Sequence, residues 1–150
     1  LLGQVKIQNK QNNLIHYDDY VKKYSLQTIH SLITLEAENY TYKSRQSITA
    51  KYRRDSSAYP YSYKQKVLNV LDGDTFSQTG DRITYRFTVE ETGLYQIALK
   101  YYHTNRDLPS YRRILIDGEV LFKELTHYPF SKTSRWKNEV LGDGTNHFQF

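Results

Sequence analysis

Several classes of protein are excluded by what the sequence lacks. Its 150 residues include no cysteine, which excludes a disulfide-stapled scaffold, a thiolate zinc site, an iron–sulfur cluster and a cysteine nucleophile. No apolar run approaches the roughly 18 residues of a membrane-spanning helix. Familiar catalytic and nucleotide-binding motifs are missing, and the five histidines are not at metal-binding spacings. We therefore expect a protein that is not an enzyme.

Aromatic residues, in contrast, are plentiful. They make up 15% of the chain, and Tyr alone occurs 15 times. A chain so rich in rings is not disordered as a whole, and its length is that of one domain. Lys and Arg number 21 against 16 acidic residues, a net charge of +5. No block of five or more basic residues occurs, so the charge only weakly favours single-stranded nucleic acid, and we expect no such partner.

The N-terminal region predicts one short helix. Its apolar residues fall at i, i+3, i+4 and i+7, which is one helical face: Tyr17, Tyr20, Val21 and Tyr24. We predict a helix over about residues 14–24 within an N-terminal linker, residues 1–30. A helix this short is not stable alone, so it must pack on this domain or on a neighbour. The chain begins with Leu, and we expect it to be a piece of a longer protein.

From residue 32 onward the pattern is that of β-structure. Residues 82–89 alternate apolar and polar side chains, and a turn at 91–93 predicts a hairpin with the strand at 94–102. The dipeptide Asp117-Gly118 predicts a second tight hairpin. Further strands are predicted at 32–38, 66–71, 114–116, 120–122, 136–141 and 147–150. This arrangement favours an all-β antiparallel sandwich over residues 31–150.

Several segments, in this order, resemble carbohydrate-binding modules of families 6 and 35. Residues 33–40 are similar to the opening strand of those modules. Residues 80–97 resemble their middle hairpin, and 116–119 resemble a later hairpin with the sequence V-D-G. Trp136 lies where such modules often place a Trp before their penultimate strand. Residues 110–118 are also similar to modules attached to extracellular solute-binding proteins of Gram-positive bacteria.

The resemblance implies a galactose-binding-like jelly-roll β-sandwich that binds carbohydrate without catalysis. The protein would be extracellular or at the cell surface, part of a larger surface or transporter-associated protein, and held at the membrane only by that parent's anchor. The alternative is a structural or protein-interaction module of the same fold that packs on adjacent domains. The family's last strand is absent here, so we expect a missing partner strand or an edge that pairs with another chain.

A metal site is predicted at Glu36 and Glu38. Two residues apart on a strand, their carboxylates would share one face, and such hard oxygen donors suit calcium when further ligands complete the shell. The resemblance likewise implies a structural calcium ion. The alternatives are two solvent-facing acids or, far less in keeping with the sequence, a glycosidase acid pair, which needs a cleft.

A ligand site is predicted at the loops near residues 102–111 and 135–138. Rings stack on sugars, and Arg and amide groups bond to hydroxyls. We expect Trp136 to be the stacking platform, with the alternative that it is a core or rim residue. The net positive charge favours an acidic sugar slightly. The candidate ligand residues are Tyr102, Arg106, Tyr111, Arg112, Trp136 and Asn138.

A second cluster of tyrosines and arginines occupies residues 52–63. Its rings and cations could bind a sugar or a single nucleic-acid strand. Most of its tyrosines could equally be structural, because Tyr is common in sheets, where its ring covers the core edge.

Overall fold

The computed structural model describes residues 13–104 and 107–150. The chain separates into two compact units. The terminal unit consists of Leu1–Thr28 with Gly93–Phe150, and the middle unit is Ile29–Thr92. In the described residues the only α-helix is short, and the remaining regular structure is a set of short antiparallel strands with one 3₁₀ turn. The predicted β-rich class is therefore confirmed.

The terminal unit contains two small antiparallel sheets. Strand β5 (Ala98–Tyr101) pairs with β8 (Lys137–Val140), and β6 (Ser110–Arg112) pairs with β7 (Tyr128–Phe130). A 3₁₀ helix, Lys123–His127, leads directly into β7. Helix α1, Tyr17–Val21, completes the unit.

Helix α1 packs on its own unit because its tyrosines complete an aromatic core. Tyr17 and Tyr20 are buried, with ring centroids 5.1 and 5.0 Å from that of Phe122. The side chain of Glu124 accepts a hydrogen bond of 3.1 Å from the backbone N–H of Tyr17, which satisfies one of the donors at the start of the helix. The helix is shorter than the predicted 14–24, and its two tyrosines are part of the core of the terminal unit.

The remaining core residues come from the C-terminal half of the chain. Seven buried side chains form this core, and partly buried apolar residues such as Ile97 and Leu99 pack against it. The C-terminal segment joins the unit through the backbone, because Phe150 and Tyr95 exchange two hydrogen bonds of 2.9 and 3.1 Å. The seven are Tyr17, Tyr20, Phe122, Leu125, Tyr128, Leu141 and Phe148.

The predicted turn at Asp117-Gly118 is confirmed. Both residues have positive φ, 51° and 85°, as the favoured two-residue hairpin turn requires. Ile116 and Glu119 close the turn with reciprocal backbone hydrogen bonds of 2.9 and 3.0 Å.

The middle unit also contains two small antiparallel sheets. Strand β1 (Tyr42–Lys43) pairs with β4 (Ile83–Thr84), and β2 (Ala50–Lys51) pairs with β3 (Val70–Leu71). Its buried residues are few and small in total volume: Ile48, Ala58 and the polar Asn69.

In the middle unit one strand prediction is wrong and another is too long. Residues 32–38 form no strand. Their end is a turn in which the N–H of Asn39 bonds to the carbonyl of Glu36, and Leu32 is 90% exposed. Of the predicted strand 82–89, only Ile83–Thr84 is in a ladder. A period-2 pattern shows which residues share a face, but it does not supply a neighbouring backbone to pair with.

The predicted hairpin between residues 82–89 and 94–102 is also wrong. Strand β4 pairs with β1, and β5 pairs with β8, so the two predicted partners belong to different units. The shorter strands β3, β5 and β8 do lie within the predicted segments 66–71, 94–102 and 136–141.

No helix in the described part of the chain is long and apolar enough to cross a membrane.

Candidate functional site

The β5–β8 ladder has two chemically different faces. Tyr101 lies opposite Lys137, and Leu99 lies opposite Glu139. Because successive residues of a strand point to opposite faces, these four side chains share one side. Lys100 and Asn138, which are also directly opposite each other, point to the other side.

The first face contains a hydrogen-bond network around Glu139. Its carboxylate accepts hydrogen bonds from the hydroxyls of Tyr101, at 2.9 Å, and Tyr128, at 3.0 Å, and from the Lys137 ammonium. Burial alone would raise the pKa of Glu139, but the three donors outweigh it, and the pKa lies below its ordinary value. The carboxylate therefore links β5, β7 and β8 through side-chain hydrogen bonds.

The second face contains a pair of adjacent rings. The ring centroids of Tyr102 and Trp136 are 5.7 Å apart with planes inclined by 32°. Both residues lie one position beyond the end of the ladder, next to Lys100 and Asn138. Tyr102 is 40% exposed, Trp136 is half-buried, and Asn138 is exposed. Two rings, an amide and an ammonium therefore line one surface, which we call the Tyr102–Trp136 face.

The loop that leads into Trp136 is fixed to the end of β5. The backbone N–H of His103 donates to the hydroxyl of Thr133 at 2.9 Å, and the N–H of Thr133 donates to the carbonyl of His103 at 2.8 Å. Thr133 is buried. These bonds hold the Trp136 backbone close to Tyr102 before any ligand arrives.

Three of the predicted ligand residues are thus brought together: Tyr102, Trp136 and Asn138. Lys100 was not among the predicted ligand residues, although Lys100 lies two residues before Tyr102 in the predicted strand 94–102. The period-2 rule places those two side chains on the same face and would have identified it.

The other predicted ligand residues are not on this face. Tyr111, which is 57% exposed, and Arg112, which is half-buried, lie on β6 opposite Pro129 and Tyr128. They are consecutive residues of a strand, so they point to opposite faces and do not form one surface. The structure therefore does not bring these two side chains together on one surface. Arg106 lies outside the described residues.

Glu36 and Glu38 are close together in the middle unit, but on a turn instead of a strand. Glu38 is half-buried, and its Oε2 has no hydrogen-bond partner. Burial, and then the charge of Glu36, raises the pKa of Glu38. Burial, together with the nearby Glu38 and Tyr40, raises the pKa of Tyr85 to about 12, and the Tyr85 hydroxyl donates to the Ala37 carbonyl at 2.8 Å.

This acidic pair is not a complete metal site. Across residues 13–104 and 107–150, no group of three or more His, Asp or Glu side chains is arranged to hold a metal ion. A calcium ion bound by Glu36 and Glu38 would therefore need carbonyl or water oxygens for the rest of its shell.

Comparison of the chain with protein-family models, with curated proteins and with solved structures found no significant match.

Proposed function

We propose that the chain is a non-catalytic, carbohydrate-binding-like module with a galactose-binding-like jelly-roll sandwich, part of a larger extracellular or surface protein. The observation that carries this proposal is the adjacent pair of rings on the Tyr102–Trp136 face, in which Tyr102 is exposed and Trp136 is half-buried. Aromatic rings beside a few fixed polar groups are the usual composition of a small-ligand site. The sequence resemblance given above supports the same function.

The chemistry of this face suits a single sugar unit. The Tyr102 and Trp136 rings offer apolar surface for the C–H face of a pyranose. The Asn138 amide can both donate to and accept from sugar hydroxyls, and the Lys100 ammonium can donate to a hydroxyl or pair with a carboxylate. A few such contacts, less the cost of association, correspond to a Kd of about micromolar to millimolar.

The chain contains a single Trp, so its fluorescence reports on this face directly. We expect neutral or acidic oligosaccharides, titrated to about 10 mM to cover the weak end of that range, to shift Trp136 emission. Tyr102→Ala should weaken the response by about tenfold, since one lost ring contact of about 1.4 kcal/mol is a factor of ten. Tyr111→Ala removes an exposed ring from the other sheet and serves as the matched control. No response to any sugar in the unmodified protein contradicts the proposal.

We also propose that Glu36 and Glu38 contribute to a calcium site. Their proximity and the unpartnered Oε2 of Glu38 support this. An ion that binds only the folded state raises the free energy of unfolding, by about 2.7 kcal/mol at a hundredfold excess over Kd, and so raises Tm. Glu36→Gln with Glu38→Gln should abolish that rise, whereas Asp18→Asn with Asp19→Asn, on the exposed side of α1, should not. An unchanged Tm in excess calcium rejects the site.

The second candidate function is a protein-interaction module of the same fold. It is favoured by the exposed apolar side chains of Leu32, Ile33 and Leu35, which an adjacent domain would bury. This candidate replaces the first if Trp136→Ala only lowers stability and no sugar is bound.

A further inference from the structure

The loop between β2 and β3 concentrates charge and rings in the middle unit. Residues 53–66 contain Arg53, Arg54, Lys64 and Lys66 against the single acid Asp55, a net charge of 4 − 1 = +3 out of +5 for the whole chain. Within this loop, Tyr59, Tyr61 and Tyr63 are 70%, 41% and 74% exposed. We call residues 53–66 the Tyr59–Tyr63 loop.

The loop is held in place by a buried amide. Asn69 is 4% exposed, and its Nδ2 donates to the carbonyls of Arg53 at 3.0 Å and Pro60 at 3.1 Å. Its Oδ1 accepts from the N–H of Arg53 at 2.8 Å. The turn between these points is closed by Asp55, whose side chain accepts from the N–H of Ser57 at 2.8 Å. A ligand therefore meets a loop whose backbone is already ordered, which lowers the entropic cost of binding.

The loop also places a cation against a ring. The guanidinium carbon of Arg54 lies 5.2 Å from the ring centroid of Tyr63, a cation–π distance. This contact holds a positive charge beside an exposed aromatic surface. A ring next to a positioned cation matches a sugar that has both an apolar C–H face and an acidic group.

We propose that the Tyr59–Tyr63 loop is a second binding surface, separate from the Tyr102–Trp136 face, and that it takes an acidic polysaccharide. The rings stack on successive sugar units, and the Arg and Lys side chains pair with the carboxylates. The choice of a carbohydrate as ligand rests on the proposed function, whereas the surface itself rests on the geometry of the loop.

The groups at the ring edges favour a polysaccharide over a nucleic-acid strand. Each Tyr hydroxyl both donates and accepts hydrogen bonds, as a hydroxyl-rich polymer requires. A nucleic-acid strand would stack on the same rings, but its phosphates only accept hydrogen bonds and would use the Tyr hydroxyls as donors alone. A neutral polymer gains no electrostatic attraction from the positively charged loop, so the net charge favours an acidic polymer.

Calorimetric titration with an oligogalacturonate, at low and at physiological salt, tests the proposal. We expect the affinity for the oligogalacturonate to fall as salt is raised. Lys64→Gln with Lys66→Gln should lower that affinity about fivefold at low salt, because two exposed charges are lost. Tyr61→Ser with Tyr63→Ser should weaken it further. The matched controls are Lys22→Gln with Lys23→Gln, directly after α1, which removes the same charge, and Tyr42→Ser on β1, which removes an exposed ring. Both should bind like the unmodified protein.

Three results would overturn the proposal. If the Lys22 and Lys23 variant loses as much affinity as the Lys64 and Lys66 variant, the binding is a response to net charge only. If poly(dT) binds more tightly than the oligogalacturonate and depends on the same residues, the surface is a nucleic-acid site. If Trp136→Ala abolishes oligogalacturonate binding while the loop variants do not alter it, the proposed function stands and the second surface does not. Loss with the loop variants but no Trp136 response to any sugar supports the loop and rejects the Tyr102–Trp136 face.

Discussion

The two units of this chain are stabilised by different interactions. The terminal unit buries a cluster of aromatic and aliphatic side chains, with Phe122 contacting rings from both α1 and the C-terminal segment. The middle unit buries little apolar volume. Its turns are joined by polar contacts such as the Asn69 amide and the bidentate Arg45–Asp81 pair, at 2.5 and 2.8 Å. Similar β-patterned sequence thus produces one unit that depends on apolar packing and one that depends on hydrogen bonds.

This difference predicts how each unit responds to substitution. Apolar burial is non-directional and scales with the area removed from water, so its loss is large wherever a big side chain is removed. A buried hydrogen-bonding group contributes less on net, but its removal leaves its partners unsatisfied.

The largest effect is expected in the core of the terminal unit. Phe122 has no exposed surface, and Phe122→Ala should lower the free energy of unfolding by about 3–5 kcal/mol, because a cavity remains where the ring was. Urea denaturation followed by Trp136 fluorescence measures the change. Phe87→Ala makes the same change at a residue of the middle unit that is 49% exposed, and should cost about 0.5 kcal/mol or less, measured by amide hydrogen exchange in β1 and β4. Equal losses in the two variants would remove the distinction between the units.

The next effect tests the polar character of the middle unit. Asn69→Ala leaves two backbone carbonyls and one N–H without their partner, and should cost about 1–3 kcal/mol. Amide hydrogen exchange at β2 and β3 should accelerate, while exchange in the terminal unit stays unchanged. Asn39→Ala, at an exposed position of the same unit, is the control. A loss no greater than that of the control would show that Asn69 does not hold the loop.

A smaller effect is expected at the hairpin turn of the terminal unit. Gly118 has φ of 85°, a conformation that costs a residue with a side chain about 1 kcal/mol. Gly118→Ala should lower stability by that amount in thermal unfolding. Gly73→Ala in the middle unit has no positive φ and no neighbour within 4 Å of the added carbon, so it should be neutral or slightly stabilising. A neutral Gly118→Ala would contradict the turn geometry.

The smallest effect is the acid sensitivity of one carboxylate in each unit. Hydrogen bonding to Arg45 lowers the pKa of Asp81 from 3.8 to about 2, and the donors around Glu139 lower its pKa from 4.5. Because both folded-state values are depressed, the unfolded chain binds more protons in acid. The stabilisation is complete above the ordinary pKa values and declines as the pH falls through the folded ones.

Urea unfolding at about pH 5 and about pH 3 should therefore show lower stability in acid. Asp81→Asn should reduce the pH dependence of amide exchange in β1 and β4. Glu139→Gln should reduce the pH dependence of the unfolding transition followed by Trp136 fluorescence. If each substitution altered the pH dependence of both units equally, the two carboxylates would not report on separate units.

Part of the site could be predicted from the sequence. Trp136, Tyr102 and Asn138 were identified because rings and amides near strand ends are suited to ligand contact, and the ladder brings them onto one face. The same reasoning predicts Tyr111 and Arg112 for the site, as a ring and an Arg beside a loop. They lie on another sheet, because closeness in sequence does not determine which strand pairs with which.

The sequence alone determined the local features: the helical face of Tyr17 and Tyr20, the turn at Asp117-Gly118, and the β-forming segments around β3, β5 and β8. These depend on side-chain periodicity and on backbone φ, which neighbouring residues control. Only the tertiary structure decided that α1 completes the core of the terminal unit, that β4 pairs with β1, and that Glu36 and Glu38 lie on a turn. Such pairings depend on distant segments competing for the same backbone groups and apolar surface, and a local pattern contains no information about that competition.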